Sequence, residues 1–213
     1  MPPKSVEVFS DLSVTVSPEL VLKHLSSRRR RLAPPSVIAL AERASAQGAP
    51  LLSPLALARE LPREEIRGLT FAGNLKALAD ALRLDGQTVL GVVAVVCTVG
   101  EAIDREIGRC FARGETSIGL GLDAVGTAAS SLLTGRVHQL LRRRMKESRR
   151  RLGGRRMPGV GAVSLSLQRD IVALLGAEEF GVRVNESWML RPKKTLTFLA
   201  PFIPKGPAEK EKG

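Results

Sequence analysis

Aromatic residues are scarce in this chain: its 213 residues include six Phe, one Trp and no Tyr. The interior cannot be built on rings, so we expect a core of Leu, Val, Ile and Ala. The chain also lacks the aromatic platforms on which single-stranded nucleic acids stack. Its length suits one large domain or two small ones and allows a core without disulfides or metals.

Cysteine and histidine are also rare, with two of each. Cys97 lies in an apolar run and Cys110 in a predicted helix. Neither has a second cysteine or a histidine at ligand spacing, so no metal site is expected. His24 and His138 stand alone. Two unpaired cysteines suit a reducing compartment, and the first nine residues do not resemble a signal peptide, so we expect a cytoplasmic protein.

Long hydrophobic runs and catalytic motifs are missing as well. The most apolar stretch, residues 89–99, is too short to span a bilayer, so no membrane association is expected. There is no Gly-x-Ser-x-Gly elbow, no Walker-type phosphate loop and no His-Glu-x-x-His. The sequence therefore predicts no catalytic residue.

Positive charge, by contrast, is abundant: 33 Lys and Arg oppose 21 Asp and Glu, a formal net charge of +12. This excess favours anionic partners such as nucleic acid, acidic protein faces or membrane headgroups. A coding bias that enriches arginine and alanine together would explain it equally well. Arginines cluster at 28–31 and 142–151. Each cluster is either a solvated helix junction or a contact for phosphate or an acidic surface.

Periodicity and turn signals predict one α+β domain over 1–203, with a strand and helical part (1–87), a sheet and ligand-loop part (88–203) and a disordered tail (204–213). Helices are predicted at 18–26, 37–47, in two short pieces of 49–67, and at 74–84, 102–113, 117 to beyond 144 and 166–176. Strands are predicted at 5–17, 88–98, 180–184, 188–190 and 195–202.

The long predicted helix after residue 117 begins with many small residues. Such residues let another backbone or helix approach closely, at a cost in helix propensity. We therefore expect a tight packing surface in the domain centre, formed by Gly119, Gly121, Ala124, Gly126, Ala128, Ala129 and Ser130.

A basic, glycine-rich stretch at 153–161 is the strongest signal of a binding site. It reads Gly-Gly-Arg-Arg-Met-Pro-Gly-Val-Gly and leads into a predicted helix. Glycine lets backbone N–H groups approach a polar or anionic ligand closely. Composition and spacing alone thus indicate a soluble, basic α+β domain with a glycine-rich ligand loop.

Four sequence blocks, taken in order, resemble the activation (reactivation) domain of cobalamin-dependent methionine synthase and its free-standing relatives. The first two, 92–104 and 121–129, are similar to the family's buried strand with Thr-x-Gly and to its Leu-Asp-Ala-x-Gly-Ser-x-Ala helix. The third, 155–161 (RRMPGVG), is similar to Arg-x-x-Pro-Gly-Tyr-Gly. The fourth, 181–195 (GVRVNESWMLRPKKT), is similar to the family's Thr-Glu-Ser…Pro-x-Lys-Ser end.

This resemblance implies a twisted antiparallel sheet surrounded by helices and a groove for S-adenosylmethionine at the third block. It also implies that the domain caps a cobalamin module carried by a separate protein, a cobalamin-binding protein or a methionine synthase core. There an electron from a flavodoxin-type donor and a methyl from S-adenosylmethionine would restore methylcobalamin. The lack of aromatic stacking platforms argues against a nucleic-acid partner.

The resemblance also assigns site residues. Arg155 would hold the carboxylate of the ligand through its fork of donors. Glu186 and Ser187 would support the loop from a neighbouring strand. The remaining ligand-binding positions would be Met157, Pro158, Gly159, Val160 and Gly161.

The chain departs from the family pattern at three places. Val160 stands where the family has tyrosine, Ala162-Val163-Ser164 replaces a polar-aromatic-proline stretch, and Asn185 replaces a threonine. Losing the aromatic wall would cost about 1–2 kcal/mol of binding, roughly tenfold in affinity. Two other functions stay open: a non-catalytic subunit or scaffold of a methionine synthase complex, and a basic nucleic-acid-binding protein.

Overall fold

The computed structural model describes residues 6–25, 33–68, 83–84, 87–161 and 163–205. Six α-helices lie within these ranges: α1 (Pro18–Leu25), α2 (Pro35–Gly48), α3 (Arg63–Gly68), α4 (Ala102–Ala112), α5 (Thr116–Glu147) and α6 (Leu167–Leu174). The strands there are β1 (Glu7–Phe9), β2 (Leu55–Pro62), β3 (Arg83–Leu84), β4 (Gln87–Thr88), β5 (Gly91–Thr98), β6 (Arg150–Leu152), β7 (Arg183–Val184), β8 (Leu190–Arg191) and β9 (Thr195–Pro204).

Five strands form one antiparallel sheet in the order β1-β2-β5-β9-β6. Its longest pairing joins β5 to β9 over eight residues, from Gly91 opposite Phe202 to Thr98 opposite Thr195. The pairs β3–β4 and β7–β8 form separate small hairpins. The predicted class, an α+β fold with an antiparallel sheet surrounded by helices, is confirmed.

The sheet separates two aliphatic cores, because successive side chains of a strand point to opposite faces. Every residue of β5 is buried, as predicted for a central strand. Val93 and Val95 face the core shared with α1, α2, α4 and α5. Val92 and Val96 face the core shared with α3 and α6. With both faces covered, β5 shows the continuous apolar run that the sequence displays.

The prediction of two helical pieces in 49–67 is wrong over most of that range. Residues Leu55–Pro62 form β2, which pairs along its whole length with β5. Its Leu, Ala, Arg and Glu residues are good helix formers, but the pairing with β5 outweighs that local preference. Only Ala49–Leu51, a 3₁₀ turn, and α3 are helical there.

Other boundaries also differ from the predictions. The strand expected over 5–17 covers only Glu7–Phe9, and the basic run after residue 144 divides between the end of α5 and the edge strand β6. Trp188 lies in a turn rather than in a strand, and β9 extends to Pro204. The arginines at 28–31, most of the helix expected at 74–84 and residues 206–213 lie outside the described residues.

The small residues of α5 form the close-packing surface that the sequence predicts. A Cβ on Gly121 would lie 2.7 Å from Cβ of Ala44 on α2. A Cβ on Gly126 would lie 2.8 Å from Cγ of Lys194, just before β9. Glycine at these two positions therefore lets α5 lie directly against its neighbours.

Within the described ranges, every helix is too short or too polar to cross a bilayer.

The start of β5 leaves no room for a side chain, which makes Gly91 a test of the packing. A Cβ there would lie 2.2 Å from the Leu61 carbonyl oxygen and 2.7 Å from Cζ of Phe202. We expect Gly91→Ala to lower the free energy of unfolding by about 2–3 kcal/mol. Gly108→Ala is the matched control, because Gly108 is exposed in α4 with open space around it. It should stabilise by about 1 kcal/mol, and urea unfolding of both variants measures the difference. Equal effects would contradict this packing.

Both cysteines are free thiols buried in the core. Burial raises the pKa of Cys97 to about 12, against a smaller opposing effect of the Thr134 hydroxyl. Burial also raises the pKa of Cys110.

Because the thiolate is the reactive form, we expect neither thiol to react with Ellman's reagent at pH 8 in the native protein, and both to react in denaturant. Fast labelling of one thiol in the folded protein would contradict the buried placement of that thiol.

Candidate functional site

The glycine loop, residues 153–161, begins as an extension of β6 along the edge of β9. The Gly153 N–H donates to the Pro201 carbonyl at 2.7 Å. Arg156 and Leu199 exchange two backbone hydrogen bonds, of 2.7 and 2.9 Å. The loop is therefore fixed to the sheet up to Arg156.

Beyond Arg156 the chain leaves the sheet and turns. The Val160 N–H donates to the Met157 carbonyl at 3.1 Å, and the Gly159 N–H donates to the Val163 carbonyl at 2.8 Å. Gly159 has φ +81° and Gly161 has φ +62°, values that L side chains rarely adopt. The glycines of this motif are thus required by the turn itself, whatever the loop binds.

This departure leaves part of β9 with an open edge. Leu199 directs its N–H and C=O toward the loop, so alternation along the strand directs those of Thr197 to the same side. No backbone partner from the described residues reaches Thr197 there. Thr197 is nevertheless buried, with 3% of its surface exposed. Buried backbone groups without a partner are rare in native proteins and mark a place where a ligand can supply the missing hydrogen bonds.

One face of α5 carries the polar side chains of Asp123, Thr127, Ser130, Thr134 and His138. Their spacings of three and four residues place them on the same side of the helix, and we call them the polar line. Thr127 donates to the Asp123 carbonyl at 2.9 Å, and Thr134 donates to the Ser130 carbonyl at 2.6 Å. His138 continues the line and donates from Nε2 to the Gly153 carbonyl at 2.8 Å. The last member of the line therefore contacts the first residue of the glycine loop.

The positive charge of Arg155 acts on two groups near this end of the polar line. It favours the thiolate of Cys97 and disfavours the protonated form of His138. Burial is the main reason that the pKa of His138 is lowered, and Arg155 and Arg142 add to it. The ring also contacts Phe198 edge-on, at 6.0 Å between centroids. His138 is thus favoured as a neutral hydrogen-bond donor beside an exposed guanidinium.

Lys194 occupies the other end of the polar line. Its Nζ donates to Asp123 Oδ1 at 2.8 Å and to Thr127 Oγ1 at 2.9 Å, and only 12% of the side chain is exposed. Its stem lies across Gly126. This ion pair joins α5 to the start of β9, so the helix and the strand edge hold a fixed spacing.

The β7–β8 hairpin presents a turn, residues 185–189, near the start of β9. Asn185 closes the turn: its Oδ1 accepts from the Met189 N–H at 2.8 Å, and its own N–H donates to the Met189 carbonyl at 3.0 Å. Trp188 adopts φ +63°, and the guanidinium of Arg169 on α6 lies 4.2 Å from its ring centroid. Between this hairpin, α6 and the first residues of β9 there is a cleft of about 430 Å³, which reaches Leu196.

The structure brings some of the predicted site residues together and leaves others apart. Arg155, Met157, Pro158, Gly159, Val160 and Gly161 form the glycine loop, as the contiguous motif requires. Glu186 and Ser187 are exposed in the hairpin turn, and neither side chain bonds to any described residue. Their support of the loop therefore stays a prediction. Val160, at the family's tyrosine position, is 63% exposed.

Sequence reasoning missed three parts of this site: the open edge at Thr197, the Lys194–Asp123 ion pair and the contact of His138 with the loop. The spacing of Asp123, Thr127, Thr134 and His138 in the sequence indicates a polar helix face. The open edge had no such signal, because it depends on where the loop leaves the sheet. Groups of three or more potential metal ligands do not occur among the described residues.

Comparison with known proteins gives one kind of match. No protein-family model matches the chain, and no curated protein matches it either. Among the solved structures that match is the MetH reactivation domain bound to AdoHcy. The two align with a TM-score of 0.64 and 16% identity, over 96% of this chain and 79% of that one. The chain thus has the fold of the MetH reactivation domain.

Proposed function

We propose that this protein binds S-adenosylmethionine, or its product S-adenosylhomocysteine, along the open edge of β9 beside the glycine loop. We further propose that it assists the reductive methylation of a cobalamin carried by a separate methionine synthase or corrinoid protein. The observation that carries the proposal is the stretch of β9 at Thr197 where no described backbone group pairs, on the same edge along which the glycine loop with Arg155 begins.

The residues present fit such a ligand. An amino-acid ligand carries a carboxylate, which the forked donors of Arg155 can bind in a bidentate manner. It also carries polar groups that can pair with the N–H and C=O of Thr197, as an added strand does at a sheet edge. Gly159 and Gly161 carry no side chain that would keep a ligand from the loop backbone. The structural neighbour with this fold is bound to AdoHcy, which agrees with this class of ligand.

When bound, S-adenosylmethionine supplies a methyl group made electrophilic by the adjacent sulfonium. The task of this chain would be to bind and orient it. Arg155 would fix the amino-acid end, and the turn at Gly159 would set its distance from the sheet. Neutral His138 would hold the start of the loop through the Gly153 carbonyl without adding positive charge beside a cationic ligand. Orientation of this kind makes up much of the advantage that a protein gives to a transfer reaction.

The partners follow from the same proposal. A separate corrinoid protein would present its cofactor at the glycine loop, and a flavodoxin-type donor would supply the electron. The net charge of +12 suits acidic faces on either protein. Cytoplasmic location also belongs to the proposal, because the two buried free thiols suit a reducing compartment.

The neighbouring arginines of the loop provide a matched test of ligand binding. Side chains alternate along the extended segment, so Arg155 and Arg156 point to opposite sides. We expect Arg155→Gln to weaken binding of S-adenosylhomocysteine by about tenfold or more, since it removes a charge-assisted pair. Arg156→Gln should change it by less than about twofold. Isothermal titration calorimetry of the purified chain measures both.

The outcomes of that titration are distinct. Equal losses in the two variants would place the carboxylate away from Arg155. No heat with the unaltered chain at millimolar ligand would overturn ligand binding. If a cobalamin-binding protein still bound the chain in that case, a non-catalytic scaffold role would replace the proposal.

The missing tyrosine gives a gain-of-affinity prediction. Val160 is exposed on the loop, so a larger side chain meets no packed neighbour there. We expect Val160→Tyr to increase affinity for S-adenosylhomocysteine by about tenfold, because a ring adds a wall of about 1–2 kcal/mol. Val160→Leu is the control for added apolar size and should change affinity by less than about threefold. Equal gains from the two variants would show that the ring contributes nothing specific.

A further inference from the structure

A second cavity, of about 400 Å³, lies where the end of α5 meets β6 and the end of β9. We call it the basic cleft. Its lining includes Gln139, Leu152 and six cationic side chains, those of Arg142, Arg143, Lys146, Arg150, Arg151 and Lys205. None of the described residues that line it is acidic, and the glycine loop begins one residue after Leu152. The segment 142–156 carries nine Lys and Arg against one Glu.

Two arginines of this cleft, Arg142 and Arg143, lack the ion pairs that other arginines of the described chain form. On α5, Arg144 points to another cavity and pairs with Glu7. In the cavity beside α4, Arg113 pairs with Glu106 and Glu115. Arg142 and Arg143, by contrast, form no ion pair with any described residue.

One member of the cleft is fixed in place. Arg150 binds Glu60 through two hydrogen bonds, of 2.5 and 3.2 Å, and lies over the ring of Phe202 at 5.2 Å from its centroid. Leu152, 4% exposed, adds an apolar wall. The cleft thus has one oriented guanidinium beside several exposed cations. Cations at positions 142 and 146 of one helix repel each other, so their clustering costs stability unless an anion is bound.

We propose that the basic cleft binds a short chain of phosphates, either as inorganic polyphosphate or as the phosphate tail of a nucleotide. Guanidinium forks match phosphate oxygens, and cations contributed by three chain segments suit several adjacent phosphates better than one. The volume is that of a small-ligand pocket, whereas a nucleic-acid surface would be an extended stripe. This inference does not depend on the proposed function.

The test uses the full chain and isothermal titration with tripolyphosphate, ATP and inorganic phosphate at one fixed ionic strength. We expect one tripolyphosphate or ATP per chain, with inorganic phosphate at least about tenfold weaker. Arg142→Gln with Arg143→Gln should weaken tripolyphosphate binding by about tenfold or more. The control removes the same charge from α4, where Arg105→Gln with Arg109→Gln should cost less than about twofold. All four substituted arginines are exposed in their helices. Thermal unfolding of each variant checks that it is folded.

The comparison of ligands distinguishes a free phosphate chain from the phosphate tail of a nucleotide. Equal affinity for ATP and tripolyphosphate identifies the phosphate chain as the determinant, and tighter binding of ATP shows that the nucleoside adds contacts of its own. Arg142→Lys with Arg143→Lys keeps the charge but loses the forks, so intermediate affinity is expected. Equal weakening by the cleft and control variants would overturn the proposal. Binding only to long oligonucleotides or acidic proteins, with none to tripolyphosphate, would overturn it as well.

Discussion

The eight-residue pairing of β5 with β9 holds both the core and the candidate site in place. Through it, β9 is buried on both faces and fixed in register from Gly91–Phe202 to Thr98–Thr195. A buried hydrogen bond of 2.9 Å between the Thr195 and Thr98 hydroxyls closes one end of this pairing. The opposite edge of β9 pairs with β6 and the start of the glycine loop, and beyond Arg156 no described backbone group pairs with it. The candidate site therefore lies on a buried strand that is paired along eight residues with β5, and a precise binding geometry needs such a support.

Helix α5 sets the other side of the site by close packing. Its glycines let α2 and the stem of Lys194 lie directly against its backbone, and the Lys194–Asp123 ion pair then fixes the start of β9. The same helix carries the polar line to His138 and ends in the cations of the basic cleft. Close packing, the polar line and the cationic end thus follow one another along the 32 residues of this helix. A change at a glycine of α5 would consequently alter the spacing at the site as well as the stability.

Much of the fold was predictable from local pattern. The apolar run of β5, the Ser17–Pro18 start of α1 and the small-residue half of α5 each depend on neighbours in sequence, and each was placed correctly. The strand β2 was predicted as helix because its residues favour helix locally, and only its pairing with β5 makes it a strand. The edge strand β6 was missed for a related reason: its arginines show no apolar alternation, since one face lies at the surface. At the candidate site, Arg155, Pro158 and Gly159 could be proposed from the sequence because they lie in one short motif, and their part in binding stays a prediction. The open edge at Thr197 could not be proposed, because it depends on where the loop leaves the sheet.

The aliphatic core, the positive charge concentrated in residues 142–156 and the glycines of the loop turn could all be read from the amino-acid order. These follow from residue type and short-range spacing, which do not depend on what the chain later contacts. Three other features came from the folded chain: β2 is a strand, β9 has a stretch at Thr197 with no described backbone partner, and the cations near the end of α5 line one cleft with no acidic residue among its described lining. Each of these depends on residues distant in sequence meeting in space, which local propensity does not encode.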